Sequence, residues 1–202
     1  MKYFIHLLIA LLSMLSSSQA YAQQKTASRD LLGLPKQILF NNINYHFSWS
    51  SHPSEAFYKQ EYIPAGEKPE RFRSMLLVDV LIGERTVSEI VSEKIRALKE
   101  LQLTNKNISW QEWDVTGKDD QTIDFTMTAP GANGNGLSIF EYNVYRYKSF
   151  TSVNGKKGLM LFAISTRAYD KNISVFRQGL SDKKKGLVDQ LKKMSLTPTA
   201  TL

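Results

Sequence analysis

The sequence predicts an α+β fold, a mostly antiparallel sheet of about seven strands with two main helices packed on it. Three observations carry that expectation. Leu137–Phe150 and Gly158–Arg167 are rich in aromatic and β-branched residues and flank Asn154-Gly155, a pair that readily supplies positive φ for a tight turn, so they read as one long hairpin. Thr86 to Leu101 opens on a capping box, Thr86 with Glu89, and repeats Ile90, Val91, Ile95 and Leu98 at helical spacing. Lys171 to Met194 keeps helical steps through Ile173, Phe176, Leu180, Leu187, Leu191 and Met194, with a break expected near Gly179 or Gly186. An all-β barrel would leave these two amphipathic helices with no apolar face to cover.

Taken in order, the chain begins like an export signal. Met1-Lys2 is positive, Phe4 to Leu15 is apolar, and Ser16 to Ala22 ends in an A-x-A pattern, so cleavage is expected after Ala22. The apolar run is short of the roughly 20 residues a spanning helix needs. Residues 23–35 read as a flexible mature N-terminus that docks near Leu31, Leu32 and Leu34, residues 36–195 as a single domain, and residues 196–202 as a disordered tail.

Within the domain, Ile38 to Trp49 alternates Ile43, Tyr45, Phe47 and Trp49 against Asn44, His46 and Ser48, as a half-buried strand with an Asn41-Asn42 turn signal just before the alternating part. Ser50–Ser54 reads as a loop and Ala56–Ile63 as a strand. Met75–Ile82 is almost continuously apolar, which suits a central strand covered on both faces. Asn107–Val115 is a strand holding Trp110 and Trp113; Gln121–Thr128 alternates Ile123, Phe125 and Met127; Ala129–Gly136 is a flexible glycine-containing loop. With Asn154 and Gly155 as the two turn residues, Tyr147 opposes Phe162 and Tyr145 opposes Ile164 on a core face, while Arg146 and Lys148 take a mixed face opposite Ala163 and Leu161.

The bulk properties narrow the function. The 202 residues contain no cysteine, which removes disulfides and thiolate metal sites, and carry a formal charge of +7. Export turns that basic surface away from nucleic acid and toward a protein or an anionic component of the envelope. No second apolar segment exists in the mature chain that would cross a membrane.

The wording Tyr58-Lys-Gln-Glu-Tyr-Ile-Pro-Ala-Gly-Glu67, followed by Met75-Leu-Leu-Val-Asp79, resembles small exported bacterial proteins, and the element order over residues 38–194 is similar to the PsbP-like (DcrB-like) group. That resemblance implies an accessory or binding protein and carries over no functional residue.

The candidate chemistry is sparse. His46 and His52 with Glu55 or Glu61 offer metal-ligand types, but there is no HExxH and no third mature histidine. Ser48, Ser50, Ser51 and Ser54 lie near those histidines without a Gly-x-Ser-x-Gly elbow. Glu61, Asp79, Glu112 and Asp124 are the acids from which a carboxylate pair would be drawn, and Asp79, inside an apolar strand, is expected to meet a cation or backbone donors. Ala129–Gly136 lacks the Gly-Lys-Ser/Thr ending of a phosphate loop. Tyr142, Tyr145, Arg146 and Tyr147 have the types of a base-stacking platform, but the expected register places Tyr145 and Tyr147 in the core. Lys183, Lys184, Lys185, Lys192 and Lys193 give the C-terminal helix a basic side suited to partner contact. No catalytic, cofactor-binding or metal residue is assigned. The expected role is an exported, non-catalytic binding or accessory protein working through a sheet edge and the loops Ser50–Ser54 and Ala129–Gly136; the alternatives are a carboxylate hydrolase of the envelope and a component of an envelope assembly or secretion apparatus.

Overall fold

The computed structural model describes residues 29–113, 117–131 and 136–202. The signal segment, its cleavage point after Ala22, and the centre of the loop Ala129–Gly136 lie outside the described residues. The elements are β1 Gln37–Phe40, β2 Ile43–Ser54, β3 Phe57–Pro64, β4 Ser74–Ile82, α1 Val87–Thr104, β5 Trp110–Trp113, β6 Asp120–Pro130, β7 Leu137–Thr151, β8 Lys157–Tyr169, a 3-10 turn Asp170–Asn172, α2 Ile173–Gln178 and α3 Leu180–Lys193. One eight-stranded sheet runs in the order β1-β2-β3-β4-β8-β7-β6-β5, and every neighbouring pair is antiparallel. Two four-strand meanders therefore meet at the β4–β8 seam.

This corrects the α+β expectation of about seven strands and two main helices. The fold is dominated by its sheet, with eight strands and three short helices among the described residues. The extra strand comes from Asn41 and Asn42, which adopt φ of 50° and 60° and fold what reads as one strand into the β1–β2 hairpin. Asparagine tolerates that left-handed backbone better than most residues, and two in succession make a tight hairpin turn. The extra helix comes from a break at Gly179, between α2 and α3; Gly186 continues through α3. At α1 the capping box forms as the sequence requires, with the Glu89 amide donating to Thr86 Oγ1 at 3.2 Å and the Thr86 amide donating to Glu89 Oε2 at 2.8 Å.

Both faces of the sheet are buried. One packs Tyr62, Leu76, Val78, Val144 and Phe162 against α2 and α3; the other packs Leu77, Ile123, Phe125, Leu161 and Ala163 against Val87, Val91 and Leu98 of α1. β4 is covered on both sides, as its unbroken apolar run demands.

The β7–β8 register differs by one residue from the two-residue turn. Tyr145 faces Ala163, Arg146 faces Phe162 and Tyr147 faces Leu161. The cause lies in the loop: the Ser152 amide donates to the Lys156 carbonyl, the Ser152 hydroxyl accepts from the Lys156 amide, and Gly155 alone takes positive φ, at 80°. A three-residue loop results. Arg146, which the expected register kept at a mixed surface, is buried because the end of α3 covers its face of the sheet. A second irregularity falls in β2, where the register slips between Phe47 and Trp49; Trp49 then pairs with Glu61 and leaves the face of Tyr45 and Phe47. Ser50–Ser54, expected as a loop, completes β2.

The two ends of the described chain pack together. Leu32 and Leu34 are core residues, and Asp30 fixes their approach by accepting from the Leu32 and Gly33 amides. The tail expected to be disordered packs: the Thr199 and Ala200 amides donate to the Leu32 carbonyl, and Leu202 is buried. Gly33 sits at φ +65°, where an added Cβ would meet Thr199 Oγ1 and come within 2.9 Å of the Ala200 nitrogen. Gly33→Ala should therefore destabilise the protein by about 1–2 kcal/mol, read as a lowered urea midpoint with unchanged slope.

Candidate functional site

Alternation along β3 puts Lys59 and Glu61 on the face that α1 covers, and the register sets Lys59 beside Asp79 of β4. Asp79 faces Leu161, which faces Tyr147; Leu77, beside Glu61, faces Ala163, which faces Tyr145. Arg167 and Glu141, opposite one another in β8 and β7, form an ion pair on the same face. Lys94 reaches down from α1 with Nζ 4.2 Å from the Phe125 ring centre and 5.4 Å from that of Tyr145. Three basic side chains and three carboxyls thus line a band between sheet and helix.

Within the band, Asp79 and Glu61 are the strained members. Asp79 is 5% exposed; Lys59 Nζ donates to its Oδ2 at 3.0 Å, and its Oδ1 has no partner. Burial pushes the Asp79 carboxyl above the usual carboxylate range, with the Lys59 charge and hydrogen bond opposing. Glu61, 6% exposed, is pushed up to about 7, chiefly by burial; Lys59 pulls it back, Asp79 adds to the rise, and Arg167 opposes. Burial lowers Lys94 to about 8 against the pull of Glu141. The same desolvation holds the Tyr145 and Tyr147 phenols neutral far above pH 10. Ser51, opposite Lys59 in β2, adds a buried hydroxyl without a partner. Chemically, this is a pair of neighbouring carboxyls, one salt-bridged and one holding a proton near neutral pH.

The structure separates the other candidate residues. Of the four acids, it brings Glu61 and Asp79 together and scatters the rest. Asp124 lies on the opposite face, accepting from Trp113 Nε1 at 2.8 Å and the Tyr142 hydroxyl at 3.1 Å, with Lys184 Nζ at 3.5 Å. Glu112 is exposed on the edge strand β5. His46 is exposed beside a shallow cleft of about 310 Å³ that also touches Ile63, Pro64 and Glu67, while His52 stacks on Tyr58 at 4.0 Å, beyond the β2 irregularity. Glu67 is committed to Arg73 Nε at 3.0 Å and to the Arg73 and Ser74 amides. Among the described residues no group of three or more His, Asp or Glu is placed to hold a metal ion. The aromatic-basic run of β7 splits across the sheet, Tyr142 and Arg146 on the α3 side and Tyr145 and Tyr147 on the α1 side, so it presents no stacking platform.

The basic side of α3 is also divided. Lys184 turns inward to Asp124 and over the Tyr142 ring; Lys185 pairs with Asp189 at 2.6 Å; Lys183 and Lys193 are exposed. Lys192 contributes its carbonyl to Arg146. Arg146, 8% exposed, donates from Nε and Nη2 to Asp120 at 2.9 and 2.6 Å and from Nη1 to the carbonyls of Leu191, Lys192 and Met194 at 3.3, 2.7 and 3.0 Å. A helix ends with carbonyls that lack intrahelical donors, and this guanidinium supplies them. Arg146→Met should cost about 1–3 kcal/mol, and amide exchange should show the last turn of α3 losing protection before the sheet does.

Sequence reasoning missed Lys59, Arg146 and the Arg167–Glu141 pair as partners. One signal was available for Lys59: it stands two residues before Glu61 in a strand, and so shares its face.

A protein-family model matches residues 32–196, a span that takes in every strand and helix of the domain. The comparison with curated proteins finds no match.

Proposed function

The chain belongs to a bacterial protein family of uncharacterised function, and from that premise we propose that it is an exported, non-catalytic binding or accessory protein of the cell envelope, periplasmic or secreted after cleavage following Ala22. The observation that carries the reading is the N-terminal sequence, a basic start, an apolar run from Phe4 to Leu15 and an A-x-A ending. The structure adds support in how its acids are used. Asp79 is tied to Lys59, Glu141 to Arg167, and Asp124 to Trp113, Tyr142 and Lys184. Among the described residues no helix is long and apolar enough to cross a membrane. Its partner would be a protein or an anionic envelope component, met in part by exposed Lys183 and Lys193. A PsbP-like (DcrB-like) relationship is proposed on topology alone, from helices packed on both faces of an antiparallel sheet.

The test is to express the full chain in a bacterial host and weigh the product from each compartment. The reading expects a species lacking residues 1–22 in the osmotic-shock fraction or medium, and its loss on Leu11→Arg, which breaks the apolar run. Full-length protein retained in the cytoplasm would overturn it.

A second reading, an envelope hydrolase, rests on the Glu61 carboxyl titrating near 7 beside Asp79. It expects wild-type protein to release soluble fragments from isolated envelope polymers and Glu61→Gln to abolish that release. Equal release by both proteins would remove it.

A further inference from the structure

β1 is the outermost strand on its side of the sheet. Its turn at Asn41-Asn42 sets Phe40 opposite Ile43, and further along the Phe47 amide donates to the Lys36 carbonyl at 2.8 Å. Hydrogen-bonded and non-hydrogen-bonded pairs alternate along an antiparallel ladder. Lys36, Ile38 and Phe40 therefore direct their backbone groups toward β2, and Gln37 and Leu39 direct theirs outward. Leu39 is 68% exposed, on the face of Asn44 and His46.

Edge strands in monomeric sheets are guarded by charged side chains, prolines or bulges. Gln37–Phe40 is short, at four residues, but contains no charge, proline or bulge; Pro35 and Lys36 stand just before it. We propose that β1 pairs antiparallel with β1 of a second copy of this chain, about a two-fold axis through Ile38. In that register Gln37 of one copy faces Leu39 of the other, twice by symmetry, and the outward-facing N–H and C=O groups meet one another. A shift by one residue would set outward groups against inward ones, and a shift by two would pair only one of Gln37 and Leu39 per copy, so the axis at Ile38 pairs the most outward groups. A second copy in this register satisfies the outward N–H and C=O groups of Gln37 and Leu39 on both chains, and the pairing consumes both β1 edges, so assembly through this edge stops at two. Each exposed Leu39 packs against the Gln37 stem of the other copy. No like charges face each other along the strand, since Lys36 comes opposite Phe40. This pairing is independent of export, because it rests on the ladder geometry alone.

The test is sedimentation velocity on the mature chain over a concentration series. The wild-type protein is expected to show a dimer fraction that rises with concentration. Leu39→Lys alters an exposed side chain and places like charges near the axis, and Leu39→Pro removes an outward N–H from each copy; either should weaken the dimer by on the order of tenfold or more. A thermal melt on each variant identifies any loss of fold, and Leu39→Lys decides if the proline variant unfolds. A wild-type protein monomeric at every concentration would overturn the proposal, and so would a dimer unchanged by folded Leu39→Lys.

Discussion

Lys59→Met should lower the stability of the protein by about 3–5 kcal/mol at neutral pH, the usual cost of leaving a buried carboxylate without its cation. Lys59 Nζ is the hydrogen-bond donor that Asp79 has, at 3.0 Å, and both side chains are largely buried, at 14% and 6% exposed. Methionine keeps the length and apolar bulk of the lysine stem, so the loss isolates the charge. The double variant Lys59→Met/Asp79→Leu should recover most of it, because a well-packed apolar pair in a buried site is often as stable as the ion pair it replaces. The penalty of the single variant should also shrink as pH falls, because burial raises the Asp79 carboxyl above the usual carboxylate range and the neutral acid needs no cation. Urea unfolding of the four proteins of this cycle measures each value. A single variant within about 1 kcal/mol of wild type, by contrast, would show that the Asp79 site is open to water.

Glu61→Gln should remove a pH dependence and stabilise the protein at alkaline pH. A glutamate that titrates near 4.5 in the unfolded chain and about 7 in the fold binds its proton more tightly when folded. Its favourable contribution is complete below 4.5 and is lost as pH rises through 7. The difference corresponds to about 3 kcal/mol. Glutamine keeps the shape and has no proton to lose. The stability difference between wild type and variant should change by about that amount between pH 4.5 and pH 8, with the variant the more stable at the upper end. Parallel stability curves for the two proteins would contradict this.

How far the sequence reveals the fold depends on which interactions decide each element. α1 was readable because its start is local: Thr86 and Glu89 satisfy each other's backbone neighbours within one turn. β4 was readable because a strand covered on both faces needs an unbroken apolar run. The β1–β2 division was signalled by Asn41-Asn42 but needed the backbone of both residues to be confirmed. The β7–β8 register was not readable, since Asn154-Gly155 suits a two-residue turn and the choice fell to the Ser152 hydroxyl and the Lys156 amide closing a longer loop. At the site, Asp79 announced itself as an acid in an apolar strand. Its cation did not, because Lys59 lies 20 residues away and the pairing of β3 with β4 brings the two together. Arg146 was hidden for the same reason: its acceptors are carbonyls at the end of a helix 45 or more residues later.

The seam between the two meanders has a bearing on how the chain reaches its native state. β4 ends at Ile82 and finds its second neighbour only in β8, which begins at Lys157, with α1 and three further strands made in between. Pairings so distant along the chain form late, because the intervening segment must first give up its freedom. Until β8 arrives, Met75–Ile82 has one unpaired margin, and the face that α2 and α3 cover stays open, since both follow β8. Assembly is consequently slow relative to helical proteins of equal size, and the half-finished sheet is the species most prone to clump. A chain threaded across a membrane before folding would meet that interval on the far side, where a holding chaperone is most useful to it.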